Sequence, residues 1–143
     1  PGDRICWRGP GNPLVRKHPS SVRSHPEGAT RAGVFHMIGN VWEFCWDRYY
    51  PYRFWRSADS PIVDPAGARN PFTPPSVSVR SDEPPQSYRV MRGGAWNMED
   101  IVWMRATIRA TDLEIPVEAD PDVGFRIACG AKRAVTYVDD FAA

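Results

Sequence analysis

Apolar and polar positions alternate most regularly along this chain from Ile101 to Ala110. Val102, Met104, Ala106 and Ile108 take one side, and Trp103, Arg105, Thr107 and Arg109 take the other. A period of two places one set on a sheet face, so the pattern predicts a strand over 101–110. Shorter strands are predicted at Val41–Cys45, Tyr88–Arg92 and Gly124–Cys129, where Phe125, Ile127 and Cys129 share a face. The stretch Ser57–Ser87 is rich in proline and glycine and has little periodicity. It reads as an irregular excursion tied to the core by a few aromatics such as Phe72. With 15 prolines and 11 glycines, long helices are not expected, because proline breaks a helix interior and confines strands to short pieces.

Composition narrows the function classes. A chain of 143 residues suffices for one domain, burying roughly two thirds of the surface its unfolded form exposes. Eighteen basic residues against 17 acidic ones leave a net charge of +1, too little field to hold a polyanion, so nucleic acid is not an expected partner. The locally basic segment Arg4–Arg31 is interrupted by prolines and reads as a solvated or partner-facing loop. No apolar run reaches the 18 or so residues that a membrane span requires. Three cysteines, Cys6, Cys45 and Cys129, show no metal spacing and leave the compartment undetermined. The chain opens at Pro1, which points to an upstream segment removed by processing or by design.

Three motifs in fixed order carry most of the remaining information: Gly39-Asn40-Val41-Trp42-Glu43-Phe44, Arg92-Gly93-Gly94-Ala95-Trp96 and Val123-Gly124-Phe125-Arg126. Each joins glycines, which tolerate backbone conformations that other residues avoid, to a large aromatic or an arginine that needs partners when buried. Together they resemble the formylglycine-generating enzyme family, the sulfatase-modifying-factor domain. Arg4–Gly9, His25–Ala29, Asp64–Gly67, Arg105 and Arg109 extend the likeness from Arg4 to Ala128. It spans the second half of that family's domain only.

The resemblance implies an α+β, loop-rich, variant C-type-lectin-like fold with short antiparallel strands. Residues 1–130 would form the domain and residues 131–143 a C-terminal extension, either private to this chain or disordered. A missing N-terminal half would leave apolar strand edges for another chain to cover, so a protein partner or a lost portion of the same polypeptide is expected.

The resemblance also implies calcium at the first motif, held by the carbonyls of Gly39 and Val41 and the Glu43 carboxylate. The fourth ligand position falls on His36, and imidazole is a poor partner for so hard a cation. The competing reading pairs Glu43 with Arg105, Arg109 or Arg126. Oxidases of the family bind copper(I) through two cysteines after the second motif, but no cysteine lies between Cys45 and Cys129 here. Met98 and Met104 cannot replace them, since a thioether forms neither a thiolate complex nor a disulfide. Met104 reads as a core residue. His18, His25 and His36 have no spacing for one helix face, so neither copper nor iron is expected. Asp112, Glu114, Glu118, Asp120 and Asp122 read as a solvated acidic loop.

By resemblance to variable ligand-binding proteins of the same superfamily, the contact surface would comprise Trp96, Met98, Glu99, Asp100, Trp103, Asp112 and Glu114. The expected function is a non-catalytic binding or structural subunit. The alternative is one piece of a formylglycine-generating or related metal-dependent oxidase whose catalytic residues lie elsewhere.

Overall fold

In the computed structural model the described residues are 4–9, 18–51, 65–68, 88–113, 119–129 and 136–138. They form β1 (Trp42–Arg48), β2 (Pro65–Ala68), β3 (Tyr88–Arg92), β4 (Ala110–Leu113), β5 (Val123–Gly124) and β6 (Thr136–Val138), with 3-10 turns at Pro26–Gly28 and Ile101–Met104. One sheet runs β4-β3-β1-β5 and a second pairs β2 with β6. Among the described residues the fold is loop-rich with few helical positions, as the proline and glycine content predicts.

Contacts group the chain into two units, Pro1–Phe44 with Met91–Ala110 and Glu118–Arg126, and Cys45–Val90 with Thr111–Val117 and Ile127–Ala143. The first unit holds the three motifs and a core of Trp42, Met91 and Ala95, against which Phe44, Met98, Ile108, Ala110 and Val123 pack. In the second, Tyr50 and Tyr88 are buried. There the Tyr49 amide donates to the Tyr88 carbonyl at 2.7 Å. The Arg89 guanidinium lies 5.1 Å from the centre of the Trp46 ring and donates to the Trp46 carbonyl.

The first two motifs interlock through their turns. Gly39 donates its amide to the Gly93 carbonyl at 2.7 Å, and Trp96 donates to the Asn40 carbonyl at 2.9 Å. Gly39 has φ 81° and Gly94 φ 75°. A Cβ at Gly94 would stand 2.8 Å from both Met104 Sδ and the Trp103 carbonyl, so only glycine meets the conformation and the space together.

Several expectations need correction. The segment expected as one strand over 101–110 begins as the 3-10 turn Ile101–Met104, capped by the Asp100 side chain, which accepts from the Val102 amide at 2.9 Å. Beyond it, Arg92 Nη1 donates to the Ala106 and Ile108 carbonyls at 3.2 and 3.0 Å. A cap at one end and a guanidinium on those carbonyls outweigh the alternation, and strand pairing starts only at Ala110. Met104 is buried as expected, though from a turn and not from a sheet face.

The strand expected over 124–129 is confined to Val123–Gly124, and Phe125 and Ile127 are 76% and 90% exposed. Its pairing with β1 is parallel, Trp42 opposite Val123 and Glu43 opposite Gly124, and β2 and β6 are also parallel. Antiparallel strands alone therefore do not describe the fold. Thr136–Val138, in the expected extension, is a strand, and β2 lies within the expected irregular excursion. Phe72 lies outside the described residues.

Candidate functional site

The segment 95–104 is built as a platform. Met98 donates its amide to the Ala95 carbonyl at 3.3 Å and receives the Arg8 amide on its own carbonyl at 3.2 Å. These bonds hold the backbone behind the loop while the next residues face solvent. Glu99 and Asp100 are exposed, Ile101 is 60% exposed and Trp103 41%. The Trp103 ring meets Trp42 edge to face, 6.3 Å between centroids at 83°. Its inner edge is thus anchored while the rest stays accessible. Trp7, Glu99, Asp100 and Ile101 line an open cleft of about 600 Å³. The Arg8 guanidinium reaches Glu99 at 3.6 Å with both side chains largely in water, a pairing that contributes little.

The seven expected contact residues are placed unequally. Glu99, Asp100 and Trp103 share the exposed turn. Met98 packs against the core, and Trp96 is half-buried with its Nε1 hydrogen shut away without a partner. Asp112 is half-buried in β4. Glu114 lies outside the described residues. Trp7 and Ile101, which the sequence reading did not single out, complete the cleft. Ile101 was hidden by the strand assignment, and Trp7 is remote from the motif in sequence.

Beside this platform the acidic segment is less simple than a solvated loop. Asp122 is buried, and Asn97 Nδ2 donates to its Oδ2 at 2.7 Å. Burial pushes the Asp122 carboxyl up, reinforced by its hydrogen bond with Asp120, while that same bond holds Asp120 down. Asp122 also accepts the Trp42 amide on its backbone carbonyl at 2.7 Å, which ties the segment to the start of β1.

At the first motif, Arg126 resolves the two readings of Glu43 in favour of an ion pair. Its Nε and Nη2 donate to the two carboxylate oxygens, and Nη2 also donates to the Phe35 and His36 carbonyls at 3.1 and 3.2 Å. The hydrogen bond to Glu43 raises the Arg126 pKa. Both carboxylate oxygens of Glu43 are thus engaged by a guanidinium, which competes with a cation for the one side-chain member of the set Gly39, Val41 and Glu43. Nearby, His25 and His36 meet edge to face at 5.8 Å, and Ser20 Oγ, 3.4 Å from His25 Nε2, donates to Cys6 Sγ at 3.1 Å. Among the described residues no three His, Cys, Asp or Glu side chains converge as a metal-binding group. No helix among them is long and apolar enough to cross a membrane.

A family model for the sulfatase-modifying factor enzyme 1-like domain matches residues 12–131. The chain belongs to this family. Among sulfatase-modifying factor relatives, the formylglycine-generating enzyme of Streptomyces coelicolor is 32% identical over 96 residues, covering 67% of this chain and 25% of that enzyme. The chain thus matches about a quarter of that relative's length. No solved structure matches it. All three motifs that the sulfatase-modifying factor domain resemblance rested on fall inside the matched residues.

Proposed function

We propose that this chain is a non-catalytic sulfatase-modifying-factor domain that serves as a binding or structural subunit on a C-type-lectin-like scaffold. The observation that carries this is the turn Glu99–Trp103. It presents an aliphatic and an indole side chain to solvent beside two carboxylates and above a cleft, while the three cysteines lie in other parts of the sequence. Apolar groups held out by a cap and a ring contact are suited to protein contacts, since aromatic anchors within a polar rim carry most interface energy. The partner is a protein or a further portion of the same polypeptide.

A second reading has its own support. The relative named a formylglycine-generating enzyme is matched over a quarter of its length, so this chain would be one piece of such an oxidase with its catalytic groups elsewhere. Oxygen uptake by the purified chain, loaded with copper(I) and given a cysteine-containing peptide, separates the two. The binding reading expects uptake at the level of copper and peptide alone, with the peptide's cysteine recovered intact. Protein-dependent uptake together with conversion of that cysteine to an aldehyde would establish the enzyme reading in its place.

A further inference from the structure

The resemblance assigns a calcium ion to Glu43 and the Gly39 and Val41 carbonyls, and the structure places a guanidinium on that same carboxylate. Four oxygens from two chain segments converge on Arg126: both carboxylate oxygens of Glu43 and the backbone carbonyls of Phe35 and His36. Successive carbonyls point to opposite sides in extended backbone. Here they meet one donor because His36 has φ 52°, in the left-handed region that non-glycine residues seldom enter. The result is a concave oxygen set, one bidentate carboxylate with two peptide carbonyls, of the kind that holds hard cations. We propose that Arg126 is a tethered cation that fills this set in place of a metal ion, making the turn independent of calcium.

Three physical points support the substitution. Arg126 brings its positive charge on the same chain, one residue beyond Phe125 in the third motif, so no ion has to be captured from solution. Its planar fork matches the two carboxylate oxygens of Glu43, and the second hydrogen of Nη2 is shared between the Phe35 and His36 carbonyls. A dication beside it would have to share one carboxylate with a guanidinium and face its charge at close range. Arg126 and calcium are therefore competitors, and the tethered group prevails. The inference is independent of the binding reading, because none of these residues lines the cleft.

Thermal unfolding followed by tryptophan fluorescence tests it, on the wild-type chain and on Arg126→Gln, each refolded and melted in millimolar calcium and in chelator. Calorimetric titration with calcium chloride runs alongside. The wild-type midpoint is expected to be the same in calcium and chelator, with no binding heat. Arg126→Gln vacates the set and leaves Glu43 charged, so it is expected to melt lower in chelator and to recover part of the loss in calcium by mass action. A variant that folds only in calcium supports the proposal equally. A wild-type midpoint that falls in chelator, or a variant that behaves alike in calcium and chelator, whether folded in both or in neither, overturns it.

Discussion

Asn40 joins three segments of the first unit. Its side-chain oxygen accepts the Ser20 amide at 2.7 Å, its own amide donates to the Cys6 carbonyl at 2.9 Å, and its carbonyl accepts from Trp96. It does this buried and at φ 73°, a conformation asparagine adopts more readily than most residues. Asn40→Ala orphans a buried amide and strains the backbone, so urea unfolding should show a loss of about 2–4 kcal/mol. Asn40→Gly keeps the conformation and loses only the side-chain bond, and should cost about half as much.

His36, four residues earlier, gives the fold a pH dependence with a defined sign. Burial lowers its pKa from the ordinary 6.5, opposed by the hydrogen bond to the Ser21 carbonyl and by Glu43, and reinforced by the charges of His25 and Arg126. The folded state therefore prefers neutral imidazole. Its contribution is fully present above the unfolded pKa and is lost as pH falls through the lowered folded one. Melting midpoints of the wild type should drop below pH 6.5, and His36→Asn, which tolerates the same φ, should flatten that drop. Parallel profiles for the two proteins would contradict the assignment.

Among the elements, the contrast between β3 and the 101–110 segment shows what a pattern of hydrophobicity can and cannot specify. Tyr88–Arg92 is a strand with the expected bounds, and buried Tyr88 and Val90 sit on the expected period. The same period misled at 101–110, because a side-chain cap and Arg92's hold on two carbonyls act through single polar atoms that a hydrophobic pattern does not register. The Asp100 cap is the local cause, so Asp100→Ala should destabilise the chain by about 1 kcal/mol in urea unfolding, with no change in strand content by circular dichroism. Glu43's partner was legible to within three arginines. The choice of Arg126 required the parallel register that sets Glu43 beside Gly124.

At the scale of the whole molecule, family membership was legible because motifs with glycines at positive φ and buried indoles cannot drift far without losing the turns they form. Gly39, Gly93 and Gly94 all have positive φ, and Trp42 is the centre of the core. The cleft was only half legible, since Trp7 and Ile101 reach it through folding that the motifs do not encode. Ile101 and Trp103 stand exposed on this scaffold. Trp103 is also held by Trp42, so its removal should leave the chain folded with a loss of about 1 kcal/mol.

The most direct measurement is selection of peptide ligands from a displayed random library on the wild-type chain, followed by their affinities for wild type, Glu99→Ala and Trp103→Ala. Binding should weaken by about tenfold or more in each variant, a loss of about 1.4 kcal/mol, while far-ultraviolet spectra stay unchanged. Ligands that bind both folded variants as tightly as the wild type would contradict the assignment of function to this turn.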